Sequence, residues 1–154
     1  MKLAAVLVNI RSIENVGSIF RTADGAGVEK IYLGGITPTP LNRLGKPRED
    51  LAKVALGAER SVAWEQIPNV LTLFKKLKKE GWKICAIEQA KNSQSFKKLP
   101  KTGKILLVMG TEVTGLPKNI LKVCDGIYEI PMKGSKESLN VAVAFGIAAY
   151  QIKN

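Results

Sequence analysis

Residues Lys104–Leu116 read KILLVMGTEVTGL. The apolar run to Met109 has no polar break after Lys104, which predicts a strand covered on both faces. It stops at Gly110 and enters a glycine-flanked loop holding one acid, Glu112, before Gly115 and Leu116. Parallel α/β sheets bind ligands beyond the carboxyl ends of their strands, and this loop stands at such an end. An ordinary strand–turn–helix connection is the alternative. Gly110 and Gly115 have P-loop spacing, but Leu116 and Pro117 stand where that motif needs Lys and then Ser or Thr. A nucleoside-triphosphate site of that kind is therefore excluded.

The same grammar repeats on either side. Leu3–Val8 (LAAVLV) is a second buried strand, followed by helical spacing over Ile13–Ala26 with Gly27 as C-cap. A strand at Ile31–Leu33, a Gly- and Pro-rich loop from Gly34 to Pro47, a helix near Asp50–Leu56 and a strand around Ser61–Glu65 follow. Asn69–Glu80 predicts an amphipathic helix capped by Asn69 and ended by Gly81. Strands at Lys83–Ile87 and Gly126–Ile130 and a helix over Pro117–Val123 complete the alternation. Strands alternating with helices predict an α/β domain with a mostly parallel sheet flanked by helices. Leu139–Lys153 is apolar nearly all round, so it needs cover on more than one side, which a second subunit would supply.

Composition narrows the chemistry. The 154 residues suggest one domain spanning 1–154, with no room for a separate recognition domain. Lys and Arg number 24 against 13 Asp and Glu, a net charge of +11, which favours a polyanionic partner through counterion release; a solvated basic surface is the plainer reading. The candidate contacts are Arg43–Arg48 and Lys97–Lys104, with Lys75, Lys76, Lys78 and Lys79 better read as a solvated helix face. No histidine is present, which removes the usual general base and the Ser-His and Cys-His pairs. Cys85 and Cys124 are too few for a disulfide framework or zinc site, so no metal is expected and both read as core thiols in a reducing compartment. No apolar run suits a membrane span, and Met1–Asn9 lacks the pattern of a signal peptide. A cytoplasmic location is expected.

Two further segments join the Glu112 loop. In Asn9–Gly27 (NIRSIENVGSIFRTADGAG), Asn15 and Arg21 lie six residues apart, about 9 Å along a helix axis. Gly25 and Gly27 follow a helix rather than a strand and lack the third glycine of a dinucleotide fingerprint. In Ile130–Tyr150, Ser138 is placed to cap the C-terminal helix, and Asn140 is an amide at the start of an otherwise apolar helix, so it needs a partner.

Together these segments resemble the three motifs of the SPOUT superfamily, and specifically its SpoU (TrmH-like) RNA ribose 2′-O-methyltransferases. The first, N-x-G-x-x-x-R-T-A, is matched by Asn15, Gly17, Arg21, Thr22 and Ala23. The second, G-x-E-x-x-G-L, is matched by Gly110, Glu112, Gly115 and Leu116, with Thr111 and Val113 where the family often has other residues such as Asn or Gly. The third, I-P-M-x-G-x-x-x-S-L-N-V, runs from Ile130 to Val141. The resemblance implies a C-terminal deep trefoil knot, a homodimer and a bent S-adenosyl-L-methionine. It implies catalytic roles for Asn15, Arg21, Glu112, Ser138 and Asn140. Cofactor binding is implied for Leu107, Met109, Gly110, Gly115, Ile130, Met132, Ser138, Leu139 and Asn140.

The expected reaction is methyl transfer to a ribose 2′-hydroxyl in tRNA, slightly favoured, or rRNA. Arg21 is expected to bind phosphate and stabilise alkoxide charge, with Asn15 positioning Arg21 or the ribose and Glu112 orienting Arg21 or its own loop. Deprotonating a guanidinium of ordinary pKa at pH 7 costs roughly 7.5–9 kcal/mol, so Glu112 and water compete with Arg21 as proton acceptor. A non-catalytic RNA-binding module of the same fold and a base-methylating SPOUT enzyme are the alternatives.

Overall fold

A computed structural model describes all residues from Met1 to Asn154. Seven strands form one sheet: β1 Lys2–Val8, β2 Lys30–Gly34, β3 Ala63–Ile67, β4 Trp82–Ile87, β5 Gln94–Ser95, β6 Lys104–Met109 and β7 Gly126–Glu129. Every pairing is parallel, in the order β3-β2-β1-β6-β4-β7-β5. The α/β sheet read from the alternating runs is thus present. The central strands β1 and β6 are buried on both faces, as their uninterrupted apolar runs require.

The pleat sorts those runs into two cores. Leu3, Ala5, Leu7, Ile105, Leu107 and Met109 face one layer, packed by helices α1 (Ile13–Ala26), α2 (Glu49–Ala55) and α6 (Val141–Lys153). Ala4, Val6, Val8, Leu106 and Val108 face the other, beneath α4 (Val70–Lys79) and α5 (Lys118–Leu121). Alternate burial with period two is what a strand between two helical layers must show.

α1 follows its sequence signals closely. Ser12 Oγ accepts the Asn15 N–H at 3.1 Å, and Gly27 closes the helix with φ 76°. Gly17 is buried in the α1–α2 contact, where a Cβ would come within 2.8 Å of Val54 Cβ. Asn69 caps α4 as expected.

Three readings change. Residues Ala58–Ser61 form a short helix, α3, so the following strand starts later than its sequence reading. β5 has only two exposed residues and no apolar signal to betray it. The cap of α6 is Asn140 rather than Ser138: Asn140 Oδ1 accepts the N–H groups of Ala142 at 2.9 Å and Val143 at 3.3 Å. Ser138 stays in the preceding loop, because α6 begins only at Val141.

α6 lays Val141, Phe145, Ala148, Ala149 and Ile152 on the core and against α1. Its other side keeps Val143 at 50% and Tyr150 at 53% exposure, so this chain alone does not supply the all-round cover its composition asks for. No helix is long and apolar enough to cross a membrane.

Candidate active site

The carboxyl ends of β4, β6 and β7 open onto a cleft beside the start of α6. Met109, Ile130, Leu139 and Val141 give it an apolar wall. Glu88, Glu112 and Glu129 line it, and no Lys or Arg does, although the chain as a whole carries +11. None of the three carboxylates is in an ion pair. The cleft therefore suits a ligand with an apolar ring and a cationic group, and it disfavours phosphates.

Two glutamates also brace the walls. Glu88 Oε2 accepts the Leu116 N–H at 2.7 Å and its Oε1 the Gln89 N–H at 3.1 Å, which ties the loop after β6 to the end of β4. Gly115 sits against that carboxylate with φ 68°; a Cβ there would be 2.5 Å from Glu88 Oε2. Ser93 Oγ donates to Glu129 Oε1 at 2.7 Å. Glu88 and Glu129 are cleft residues that the motif reading passed over. An acid just past an apolar strand was the available signal.

At the cleft mouth the first turn of α1, the loop after β6 and the start of α6 meet in one hydrogen-bonded chain. Asn140 Oδ1 is committed to the α6 N–H groups, so its Nδ2 donates outward, to Asn15 Oδ1 at 3.0 Å. Asn15 in turn donates its Nδ2 to Glu112 Oε1 at 3.4 Å. The same oxygen accepts the Val141 N–H at 3.3 Å and so closes a ring. Each step forces the next amide's orientation, because a carboxylate only accepts and a helix N–H only donates. Glu112 Oε2 takes no bond from the protein.

The expected site residues divide accordingly. Asn15, Glu112 and Asn140 are joined directly, and Met109, Gly110, Ile130, Ser138 and Leu139 line the cleft. Leu107 does not: it lies one pleat deeper than Met109 and is fully buried in the core. Truncating such a leucine costs about 2–5 kcal/mol of stability, so its work is packing. Met132 is half-buried and off the lining, two residues past Ile130. Gly115 shapes the loop without lining the cleft.

Arg21 stands apart from the ring within this chain. It is exposed on α1, in a separate hollow with Ser18, Thr22, Gly25, Val54 and Tyr150. The helical rise carries it away from Asn15, and neither Asn15 nor Glu112 bonds to it. Those two residues hold each other instead.

The basic segments also separate. Arg43–Arg48 lies in the loop after β2, on the same end of the sheet as the cleft. Lys104 begins β6 beside Lys2 and donates to Glu80 O at 2.9 Å, at the opposite end of the sheet.

A parallel sheet with an apolar, carboxylate-lined cleft at its carboxyl end, closed by an amide–carboxylate ring, defines an α/β protein built to hold a cationic nucleoside-like ligand. The chain belongs to the SpoU rRNA Methylase family, whose model matches residues 2–150. It is similar to the 23S rRNA (guanosine-2′-O-)-methyltransferase RlmB of Ralstonia nicotianae, 33% identical over 150 residues. That match covers 97% of this chain and 57% of the relative, so the chain spans little more than half the length of the curated relatives it matches. Among solved structures it resembles the AdoMet-bound rRNA methyltransferase of Sinorhizobium meliloti, with TM-score 0.88 and 26% identity, covering 98% of this chain and 55% of that one. It also resembles the A. aeolicus TrmH/SpoU tRNA modifying enzyme, with TM-score 0.86 and 28% identity, covering 99% of this chain and 74% of that one. A C-terminal deep trefoil knot is what membership of this family implies.

Proposed function

We propose that residues 1–154 act as one catalytic unit that transfers a methyl group from S-adenosyl-L-methionine to a ribose 2′-hydroxyl of RNA, with rRNA the favoured substrate. The observation that carries this reading is the ring Glu112–Asn15–Asn140, which gathers all three motifs at the mouth of a cleft fit for a sulfonium cofactor. The curated relatives are named for 23S rRNA, so the slight lean to tRNA finds no support among them. The tRNA name of the A. aeolicus neighbour keeps tRNA as a second substrate to assay. Free thiols at Cys85 and Cys124 and an rRNA substrate support a cytoplasmic location.

When bound, the cofactor supplies an electrophilic methyl group. Met109, Ile130 and Leu139 would hold its apolar part, and Glu88 and Glu129 would supply negative charge for its sulfonium. Asn15 and Asn140 align the ribose, and the 2′-hydroxyl donates to the free Glu112 Oε2, which takes its proton. Exposed Arg11, Arg43, Lys46, Lys91, Lys133 and Lys136 stand on loops at this end of the sheet and hold RNA phosphates around the acidic cleft.

Arg21 serves phosphate binding and alkoxide stabilisation from a partner subunit. It shares the exposed α1–α6 face with Tyr150, and a homodimer burying that face would cover the uncovered side of α6.

The test is methyl transfer from radiolabelled cofactor into rRNA and tRNA, with the modified nucleotide identified after digestion. Label in a ribose that disappears in Glu112→Gln supports the reading, and label in a base overturns it. Equal mixing of Arg21→Ala with Glu112→Gln should restore about a quarter of wild-type activity, because half the dimers are mixed and each mixed dimer has one intact site. No recovery means that Arg21 does not act across the dimer.

A further inference from the structure

On the other side of the Glu112 loop from the cofactor cleft lies a second groove, formed by Asn9, Arg11, Ile36, Thr111, Val113 and Thr114. Thr111 lines both cavities, so they are two sides of one wall. Two aliphatic side chains stand open in the groove, Ile36 at 56% and Val113 at 94% exposure. A turn tip ordinarily carries Gly, Asn or Asp, and a fully exposed β-branched apolar residue there has no folding role.

Both walls are held by local hydrogen bonds. Asn9 holds φ 56°, uncommon for a residue with a side chain, and its Oδ1 accepts the Ile36 N–H at 3.0 Å. Thr37, buried beneath it, accepts the Ile10 N–H at 3.1 Å and lies 2.8 Å from Gly34 O. Across the groove, the Thr111 and Thr114 hydroxyls are 2.7 Å apart, and the Gly115 N–H reaches Thr111 O at 3.0 Å, which holds Val113 at the tip. Local constraint of this kind around solvent-facing apolar groups is characteristic of a binding surface.

We propose that this groove is the subsite for the base of the target nucleotide, which packs between Ile36 and Val113 while Arg11 contacts a flanking phosphate. The inference rests on the RNA methyl-transfer reading above. The geometry supports a nucleobase: Val113 follows Glu112 directly, about 3.8 Å along the backbone, so a ribose held at Glu112 has its base within reach of the groove. Proteins read unpaired RNA by splaying bases out and packing their faces on side chains, with cations on the backbone. Val113, the more exposed of the two aliphatic side chains of the groove, is the position placed to meet the base first.

The test compares wild type with Val113→Ser, Ile36→Ser and the double variant, with Val113→Ile as the conservative control. All of these side chains are exposed, and unchanged thermal melting confirms folding. Three quantities are measured: KM for the methylated RNA, cofactor affinity by calorimetry, and methyl NMR shifts at Ile36 and Val113 on adding each of the four 5′-mononucleotides to cofactor-loaded protein. The expected result is a KM raised about three- to tenfold by each serine and further by the pair, cofactor affinity within twofold, rescue by Val113→Ile, and mononucleotide-dependent shifts at both methyls. An unchanged KM, or shifts that avoid the groove, overturns the proposal while leaving methyl transfer standing. If the wild type methylates no RNA at all, the functional reading falls and takes the subsite with it.

Discussion

Asn140 performs two tasks with two different atoms, and a substitution series separates them. Its Oδ1 caps α6, and its Nδ2 donates to Asn15. Asn140→Ala removes both. Loss of the cap costs about 1 kcal/mol, which for a chain of this size lowers Tm by roughly 2–4 °C. Loss of the donor frees Asn15 from one of its two partners, and a misplacement of about 1 Å at the reacting centre costs on the order of 100-fold in rate. Asn140→Asp keeps an acceptor at the helix N-terminus, where negative charge is favourable, but it sets an oxygen against Asn15 Oδ1. Its Tm should stay within about 1 °C of wild type, while methyl transfer falls as far as in Asn140→Ala. Differential scanning calorimetry and a single-turnover transfer assay read the two effects independently. If Asn140→Asp retains activity, the Asn140–Asn15 bond is not what assembles the site. If both variants melt alike, Asn140 is not the cap.

Gly17→Ala forces a Cβ against Val54 and within 3.1 Å of Leu51 O; overpacking of this kind costs about 1–3 kcal/mol and should appear as a lowered Tm. Cys85 and Cys124 are each pushed from 9.0 up to about 12 by burial. At pH 8 their thiolate fraction should be about 1,000-fold below that of the unfolded chain, because each pKa unit is a factor of ten, and alkylation should be slow until denaturant is added. Glu129→Gln removes one negative charge from the cleft, so it should weaken S-adenosyl-L-methionine about three- to tenfold while leaving the uncharged sulfur product S-adenosylhomocysteine within twofold, measured by calorimetry. Equal losses for both ligands would show that Glu129 acts by shape. The Lys30–Glu65 pair, 2.8 Å apart between β2 and β3, raises Lys30 and lowers Glu65, each chiefly through the shared hydrogen bond. Its stabilisation should hold between the ordinary values of 4.5 and 10.5, fading below as Glu65 protonates and above as Lys30 loses its proton. Both groups are solvent-facing, so Glu65→Gln should shift stability by at most about 1 kcal/mol near neutral pH.

Much of this was legible along the chain. Uninterrupted runs such as Leu3–Val8 and Lys104–Met109 require cover on both faces, and the structure provides it with two helical layers. Gly27 and Asn69 marked helix ends because capping depends on residues within a turn of the end, whereas the Ser12 cap of α1 went unread. The short elements α3 and β5 escaped notice, since a few residues cannot express a period.

The sequence by itself determined the longer elements, the two-sided sheet, the family and the identities of Asn15, Glu112 and Asn140, because these depend on local pattern and motif spacing. Tertiary structure alone decided which of those residues meet. Asn15 and Asn140 lie 125 positions apart, yet they share a hydrogen bond because the strand order brings the loops after β1, β6 and β7 to one end of the sheet. Arg21, only six positions from Asn15, is carried out of that cluster by the rise of its own helix. Leu107 turns inward where Met109 reaches the cleft, because the sheet's depth, invisible in a run of apolar letters, separates core from lining.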